Sequence, residues 1–485
     1  MKKIQNLADI LDCGQNPNKT AVIDLVSLEP KSYSYKQLRD YSNAVAHGLI
    51  NQGIVLGDKV AIVSDNSVRF LSCLFGIMKI GAVAVLIDNT LNQEQIKIIL
   101  KDCGARLVFT DTSLDSQTPT VDINLELDNF IKFGDFENYI PTDSDSALIL
   151  YTSGTTTDPK GALISHAGHG WALERHMGYD TEWGRFRISL ISAPLYHANG
   201  LSTSEVSLAG GGTIVVLPKF NARRAITAIE EFNINTLFGV PTMFAMMLQE
   251  KDLLETCNLN SVRAIRSASS SVSQKLLDGM KQFFPNATFF NAYGITEVGA
   301  GLFGPHPDGL DRPSLSVGHP AKGIEYRIVN GILEIKSPSM MTSYSSNALP
   351  ITEDGFFVTN DLFKIDKNGF YYFIGRADDM FKCGGKRIYP TEVSSILETH
   401  PSVNSSYVIS LPDEIKGHKP YAFVVLEKET SVTEKELKDY FLSQGQAYQH
   451  PRRIWFLNQL PLTGTNKVDK KYLIKTAMTN LATEQ

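Results

Sequence analysis

The sequence has few cysteines, no excess of positive charge and little glycine- or proline-rich repetition. Its 485 residues include five cysteines, and no CxxC pair is among them, so neither a zinc site nor a disulfide scaffold is indicated. Lysine and arginine number 46 against 52 acidic residues, which gives a net charge of −6. Because proteins that hold a nucleic acid backbone are normally basic, we expect no nucleic acid partner.

The most apolar stretch is too short and too interrupted for a membrane span. It covers residues 71–87, contains Ser72 and Lys79, and is broken by Gly76 and Gly81, whereas a spanning helix needs about 20 apolar residues. We interpret it as a buried helix followed by a strand, and we expect no transmembrane segment. The basic start of the chain has no apolar signal segment after it, and scattered thiols fit a reducing compartment, so a cytoplasmic location is expected.

The first 145 residues alternate between helical and strand patterns. Ser34 and Gln37 form a capping box before a helical stripe, and a helix over 93–103 precedes Gly104. Continuous apolar strands lie between such helices, and the alternation returns over 188–284. Buried strands that alternate with helices predict parallel βαβ sheets with helices on both faces.

The pattern changes in the last third of the chain. From about Gly318, short strands are separated by turns such as Asn330-Gly331, which predicts hairpins. The final hundred residues mix helices and strands again. We therefore predict an α/β fold with a large multi-subdomain N-terminal part over residues 1–376, which combines parallel βαβ sheets with a β-rich subdomain. A small α+β C-terminal domain is predicted over residues 377–485.

A loop rich in glycine and hydroxyl side chains follows a predicted strand over 148–151. It reads Thr152-Ser153-Gly154-Thr155-Thr156-Thr157-Asp158-Pro159-Lys160-Gly161. Main-chain N–H groups, hydroxyls and a lysine placed after a buried strand suit the binding of a phosphate. The spacing differs from a Walker A loop, and from the residues alone a phosphate loop and an ordinary polar loop stay open.

This loop resembles the signature loop of the adenylate-forming superfamily, which contains acyl-CoA synthetases, adenylation domains of peptide synthetases and luciferases. Further segments resemble the superfamily's motifs and follow in its order: Pro194-Leu195-Tyr196-His197, Tyr293-Gly294-Ile295-Thr296-Glu297, Thr359-Asn360-Asp361, Gly375-Arg376-Ala377-Asp378-Asp379 and Pro461-Leu462-Thr463-Gly464-Thr465-Asn466-Lys467. Thr157, Asn360 and Asn466 stand where the superfamily usually has glycine. The motifs extend over most of the chain, and six in order make a chance match negligible.

The resemblance implies three catalytic residues. Lys467 is expected to bridge the attacking carboxylate and the α-phosphate of ATP, because a positioned cation holds both in line and offsets developing charge. Glu297 is expected to coordinate Mg²⁺ on ATP, with the hydroxyl of Thr152 as a second ligand. His197 is expected to orient the acid between the acyl pocket and the nucleotide; a structural histidine is the alternative.

The resemblance also implies a nucleotide site. Its expected members are Thr152, Ser153, Gly154, Thr155, Thr156 and Lys160 at the phosphates, Ala268 and Ser269 at the adenine, Ala292, Tyr293, Gly294 and Thr296 in the Tyr-Gly-x-Thr-Glu segment, and Asp361, Phe373 and Arg376 near the ribose and α-phosphate. A carboxylate such as Asp361 offers two acceptor oxygens to two ribose hydroxyls. A plain core aromatic is the alternative for Phe373.

By resemblance, the reaction has two steps. A carboxylic acid is activated by ATP to an acyl-adenylate with release of pyrophosphate, and the acyl group then passes to the thiol of CoA. Because Lys467 and the incoming thiol need the same carbonyl, we expect a mobile C-terminal domain that rotates about Asp378. The alternative acceptor is the thiol of a carrier protein. A homodimer also stays open.

The sequence constrains the identity of the carboxylic acid substrate only loosely. Segments 198–204, 238–244 and 292–303 are expected to line the acyl pocket by resemblance, and their composition suggests an apolar slot for an aliphatic or aryl acid. Amino-acid-activating members carry an aspartate near the position of Tyr196-His197, which this chain lacks. Glu205 is the only nearby acid, and it would weaken the expectation of an unsubstituted acid if it pointed inward.

Overall fold

The computed structural model describes residues 4–12, 16–152, 160–179, 187–345 and 349–483. The helices in these ranges are α1 (Tyr35–Asn51), α2 (Val68–Lys79), α3 (Gln93–Cys103), α4 (Leu127–Phe130), α5 (His166–Tyr179), α6 (Ala198–Ala209), α7 (Ala222–Phe232), α8 (Pro241–Leu248), α9 (Lys251–Thr256), α10 (Gln274–Phe283), α11 (Pro390–Glu398), α12 (Glu434–Gln444) and α13 (Lys470–Thr483). Short 3₁₀ turns cover Leu7–Asp12 and Ala377–Asp379.

The strands of the first two thirds are β1 (Thr20–Asp24), β2 (Lys31–Ser34), β3 (Lys59–Val63), β4 (Val83–Leu86), β5 (Leu107–Thr110), β6 (Thr120–Asp122), β7 (Ser146–Thr152), β8 (Lys160–Ser165), β9 (Ile188–Ile191), β10 (Thr213–Val216), β11 (Thr236–Gly239), β12 (Ala264–Ser267) and β13 (Thr288–Asn291). The remaining strands are β14 (Phe303–Gly304), β15 (His319–Pro320), β16 (Glu325–Val329), β17 (Ile332–Lys336), β18 (Ser343–Tyr344), β19 (Phe357–Ile365), β20 (Tyr371–Arg376), β21 (Phe381–Cys383), β22 (Lys386–Ile388), β23 (Val403–Asp413), β24 (Gly417–Leu426) and β25 (Ile454–Leu457).

Two large, mostly parallel sheets form the centre of the N-terminal part. One has the strand order β6-β5-β3-β4-β7-β8-β18, and the other has the order β13-β12-β11-β9-β10-β1-β2. Antiparallel pairing is confined to the β8 and β18 end of the first sheet and to β2 of the second. The predicted parallel βαβ sheets are therefore confirmed.

A shared hydrophobic core joins the two large sheets through α1 and α2. Ile62 of the first sheet and Ile214 of the second belong to one buried cluster with Phe75 of α2. Gly76 lets the two helices approach closely, since a Cβ there would lie 2.6 Å from Cγ1 of Val45. The apolar stretch over 71–87 is thus the predicted buried helix and strand, β4. None of the helices in the described ranges combines the length and the apolarity that a membrane crossing requires.

The β-rich and C-terminal parts follow the predicted change of pattern. Strands β16, β17, β19 and β20 form an antiparallel sheet, in which Asn330-Gly331 and the turn before β20 connect neighbours. A separate five-stranded sheet of β21–β25 packs against α11–α13 and forms the small C-terminal domain. The chain passes from one sheet to the other through the 3₁₀ turn Ala377–Asp379.

Candidate active site

A deep cleft of about 2800 Å³ lies between the two large sheets, the antiparallel sheet and the C-terminal domain. It is lined by every predicted site residue whose side chain is described: Lys160, His197, Ala268, Ser269, Ala292, Tyr293, Gly294, Thr296, Glu297, Asp361, Phe373, Arg376, Asp378 and Lys467. These residues come from segments more than 300 positions apart in sequence. The structure thus brings them together, while their individual roles stay predictions.

The signature loop is described only at its two ends. Thr152 ends β7 and pairs in an antiparallel ladder with Lys160 at the start of β8. The predicted phosphate-binding residues Ser153, Gly154, Thr155 and Thr156 lie outside the described residues, as does the side chain of Thr152. The two described ends thus meet as partners in one ladder, and Lys160 lines the cleft.

Asp361 is buried at the wall of the cleft, where it contacts three neighbouring residues. Its Oδ2 accepts a hydrogen bond of 2.6 Å from the phenol of Tyr293, and its main-chain N–H donates to Oγ1 of Thr359 at 3.0 Å. Its Oδ1 lies 3.4 Å from Nη1 of Arg376 and accepts no hydrogen bond within the described chain. One carboxylate oxygen is thus hydrogen-bonded, and the other has the ion pair with Arg376 but no hydrogen bond within the described chain.

Burial decides the protonation of Asp361. With the residue only 3% exposed, burial raises the pKa of its carboxyl from 3.8 to about 6, although Tyr293 and Arg376 both lower it. The negative charge of Glu297 raises it further. The carboxylate is therefore ionised at neutral pH, but it titrates only a little below it.

Glu297 is held by an aromatic hydroxyl from the end of the first large sheet. The phenol of Tyr344 on β18 donates to Oε1 of Glu297 at 2.9 Å, and the main-chain oxygen of Glu297 accepts from the N–H of Met341. No group of three or more acidic, histidine or cysteine side chains suited to a metal occurs in the described residues. A single positioned carboxylate fits Mg²⁺, which takes one or two protein carboxylates and completes its shell with substrate phosphates.

Lys467 reaches the cleft from the C-terminal domain. Burial lowers the pKa of its ammonium and the charge of Arg376 lowers it further, whereas Glu297 and Asp361 raise it. These four groups therefore interact electrostatically across the two domains. The ammonium of Lys467 thus feels the negative charges of both the predicted metal ligand and the predicted ribose ligand.

His197 is a neutral imidazole beside that lysine. Burial, with a contribution from the charge of Lys467, lowers the pKa of His197 to about 3. It caps the start of α6, where Nδ1 accepts a hydrogen bond of 3.3 Å from the N–H of Asn199. The ring proton consequently resides on Nε2, which is left to donate to a carboxylate.

Both asparagines that replace the superfamily's glycines adopt the left-handed backbone conformation. Asn360 and Asn466 each have a φ of 58°. Asparagine tolerates this region better than other residues with a Cβ, because its short polar side chain bonds locally. The two motifs therefore keep the backbone shape that glycine allows. The third replacement, Thr157, lies outside the described residues.

Several polar residues of the site have no motif to reveal them. Tyr344, which donates to Glu297, lies in a segment that contains no recognisable motif, so the sequence did not indicate this contact. His169 of α5 also lines the cleft, and its Nε2 lies 2.6 Å from Oε2 of Glu205. Glu205 is fully buried. The pair of His169 and Glu205 is therefore a buried polar contact at the wall of the cleft, and no motif indicated it.

Comparison with known proteins agrees with this geometry. The family described as AMP-binding enzyme matches residues 12–344, and its C-terminal domain matches residues 392–467. The 4-coumarate–CoA ligase-like 6 of Arabidopsis thaliana is 29% identical, covering 95% of this chain and 88% of its own. The fatty acid–acyl-carrier-protein ligase ScoC of Streptomyces coeruleorubidus is 27% identical over 92% of each chain. The anthranilate CoA ligase AuaEII, solved with anthranoyl-AMP, is 26% identical, covers 98% of both chains and has a TM-score of 0.88. The chain belongs to the AMP-binding enzyme family.

Proposed function

We propose that the protein is an AMP-forming acid–thiol ligase. It activates a carboxylic acid with ATP to an acyl-adenylate, releases pyrophosphate, and then transfers the acyl group to the thiol of CoA. The observation that carries the proposal is the meeting of Lys467 with Glu297, Asp361, Arg376 and His197 in one cleft. Membership of the AMP-binding family and the similarity to CoA ligases support it.

The first step needs the acid and the nucleotide held in line. Asp361 offers Oδ1 to a ribose hydroxyl, and Arg376 presents a planar cation to the ribose or α-phosphate. His197 donates from Nε2 to the carboxylate that attacks, and Lys467 offsets the charge that develops on the α-phosphate. Glu297, with Thr152 as the predicted second ligand, would hold Mg²⁺, and the bound ion would neutralise phosphate charge.

In the second step, the thiol must reach the carbonyl of the acyl-adenylate, which Lys467 approaches in the first step. We place the domain boundary between residues 376 and 377 and the hinge at Asp378, inside the 3₁₀ turn that joins the two sheets. Two ion pairs cross or flank this turn: Asp378 with Arg376 at 3.0 Å, and Asp379 with Lys470 at 2.5 Å. Both are partly exposed and can exchange with solvent, which suits a mobile C-terminal domain.

CoA is the proposed acceptor, and a carrier-protein thiol is the alternative. The names of relatives include both kinds of ligase. Lys386 stands where many acyl-CoA synthetases carry glutamate, and its ammonium lies 4.7 Å from the centre of the Tyr448 ring. A positive charge there suits the phosphates of CoA, although it is also an ordinary surface lysine. A cytoplasmic location and a homodimer stay predictions.

The test is ATP–pyrophosphate exchange over a panel of carboxylic acids, followed by thioester formation with CoA. We expect acid-dependent exchange, and formation of acyl-CoA and AMP in equal amounts once CoA is added. Exchange without any thioester from CoA would favour a carrier protein, which is tested next with a phosphopantetheinylated carrier. Absence of exchange with every acid, in the presence of Mg²⁺ and ATP, would contradict adenylate formation.

A further inference from the structure

The turn that carries Lys467 is closed by its own hydrogen bonds. Within residues 463–467, which we call the lysine loop, the N–H of Thr463 donates to the main-chain oxygen of Lys467 at 2.8 Å. The N–H of Asn466 donates to the main-chain oxygen of Thr463 at 2.9 Å. A turn closed in this way keeps its shape, so whatever holds its main chain also positions Lys467.

Two hydroxyl groups of the N-terminal domain hold the main chain of the lysine loop. The phenol of Tyr196 donates to the oxygen of Gly464 at 2.9 Å, and Oγ1 of Thr242 donates to the oxygen of Asn466. Burial and the charge of Asp88 raise the pKa of the Tyr196 phenol, so the group keeps its proton and can donate. The lysine loop is thus held at two alternate carbonyl groups.

The turn after β4 closes against the lysine loop at Gly464. In this turn, Oδ1 of Asp88 accepts from the N–H and the hydroxyl of Thr90 at 2.9 and 2.7 Å. A Cβ on Gly464 would overlap Oγ1 of Thr90 and lie 2.6 Å from both carboxylate oxygens of Asp88. Gly464 is not among the glycines with a positive φ, so its backbone conformation also suits alanine. The glycine is therefore needed for the fit between the domains and not for the turn itself.

These contacts are weak enough to be broken and remade. A hydrogen bond between a hydroxyl and a carbonyl exchanges with water, and its net effect on an equilibrium is about 2- to 12-fold. Two such bonds and a close steric fit can favour the docked lysine loop without fixing it permanently. A single substitution can consequently shift the balance between the docked and the released loop.

We propose that the N-terminal domain carries a docking site that holds the lysine loop for adenylate formation and releases it for thioester formation. The docking site consists of four positioning residues, Asp88, Thr90, Tyr196 and Thr242. Each acts on the reaction through the placement of Lys467. This inference rests on the proposed function and deepens it, because it names the groups that favour the first half-reaction.

Gly464→Ala tests the steric fit in single turnovers of each half-reaction, with an acid that supports exchange. The added Cβ should slow acyl-adenylate formation by about 10- to 100-fold, as overpacking of a close contact does. Thioester formation from preformed acyl-AMP should keep its rate or become faster, because release is no longer opposed. Gly170→Ala on α5 is the matched control. Its Cβ would meet its nearest neighbour at 3.4 Å, an ordinary contact, and both rates should be unchanged.

Tyr196→Phe and Thr242→Val test the two hydroxyl donors. Each should slow acyl-adenylate formation by about 2- to 12-fold and spare thioester formation. The double variant should show the larger loss, and Thr242→Ser should recover the rate because it retains the hydroxyl. Tyr139→Phe is the control: it removes a phenol hydrogen bond to Asp145 within the N-terminal domain and should leave both rates unchanged.

Hydrogen exchange measures docking without the need for catalysis. Amides of the lysine loop and of residues 88–91 should exchange faster in Gly464→Ala than in the wild type, and Gly170→Ala should exchange like the wild type. Thermal melting of each variant identifies loss of folding. If Gly464→Ala does not fold, the double variant of Tyr196 and Thr242 decides the question.

The outcomes separate this inference from the proposed function. If acids are activated but the variants lose both half-reactions equally, or keep wild-type rates in both, the inference is wrong and adenylate formation stands. If no acid supports exchange, the proposed function fails, and with it the role of the docking site in catalysis. Faster hydrogen exchange in Gly464→Ala would then still support the docking contact, and unchanged exchange would overturn it.

Discussion

The phenol of Tyr196 donates a hydrogen bond of 2.9 Å to the main-chain oxygen of Gly464. Tyr196 precedes His197 in the N-terminal domain, and Gly464 precedes Lys467 by three residues in the C-terminal domain. A Cβ on Gly464 would lie 2.6 Å from the carboxylate of Asp88, so the loop fits closely against the other domain. The contact holds the loop that carries Lys467 against the N-terminal domain, in the arrangement that we propose for adenylation.

Lys467→Ala should nearly abolish formation of the acyl-adenylate. Loss of a positioned cation at the transition state typically costs roughly 10²–10³ in rate. The second half-reaction, started from preformed acyl-AMP, should be far less affected, because the thiol attacks after the α-phosphate step is complete. Single-turnover measurement of each half-reaction checks this. Lys475→Ala, an exposed lysine of α13, is the control, and equal losses in both halves would refute the assignment of Lys467.

Adenosine binding should weaken as the pH falls through about 6. The pKa of Asp361 is raised to about 6 by burial, and the protonated carboxyl is a much weaker acceptor for ribose hydroxyls than the carboxylate. At pH 5 about a tenth of the protein then keeps the carboxylate, so affinity should drop about tenfold from its value at pH 7. Adenosine is the suitable ligand for this test, because it has no phosphate group that would itself titrate in this pH range. Calorimetry from pH 5 to 8 measures the affinity for adenosine. An affinity of the wild type that does not change with pH would exclude Asp361 as the ribose ligand.

The matched variant for Asp361 is Asp361→Asn, which cannot ionise. It should bind adenosine weakly at every pH, and its affinity should not depend on pH.

The titration of Asp361 also affects the stability of the fold. Between pH 3.8 and 6 the folded protein binds more protons than the unfolded chain, since the pKa of Asp361 is raised in the folded state. The contribution of this group to the free energy of unfolding therefore falls as the pH rises across that window.

Glu297→Ala should weaken productive use of Mg·ATP. The carboxylate is the described side chain that we assign to the metal, and Tyr344 holds one of its oxygens. We expect a higher apparent KM for Mg·ATP and partial recovery at high Mg²⁺, measured by exchange at fixed ATP. Tyr344→Phe should show a smaller effect of the same kind, because it loosens the carboxylate without removing it. Unchanged ATP kinetics in Glu297→Ala would contradict the metal role.

Asp378→Pro should leave adenylation largely intact and slow thioester formation. Proline fixes φ near −65° and removes an N–H, which restricts rotation at the proposed hinge. Asp378→Ala is the matched control: it removes the ion pair with Arg376 but leaves the backbone free. We expect the alanine variant to retain both half-reactions. Wild-type rates in both halves of Asp378→Pro, measured in single turnovers, would show that rotation about this residue is not needed.

Local patterns in the sequence determined most element boundaries. The capping box at Ser34 forms as predicted. Helix α3 covers residues 93–103, as predicted, and ends at Gly104. These features depend on neighbours within a few positions, and such interactions are encoded directly in the order of residue types. The resemblance of six motifs in order likewise pointed to the superfamily without any knowledge of tertiary contacts.

Contacts between distant elements could not be derived in this way. Glu205 and His169 are 36 positions apart on two helices, and Tyr344 follows Glu297 by 47 positions. Which helix faces meet, and which side chains lose water, depends on how the sheets pack. The pKa of Asp361 rises because tertiary structure buries it. The order of residue types thus encodes the helices, the strands and the chemical groups available to the site. Their distances, burial and protonation depend on tertiary packing, because they arise between atoms that are far apart along the chain.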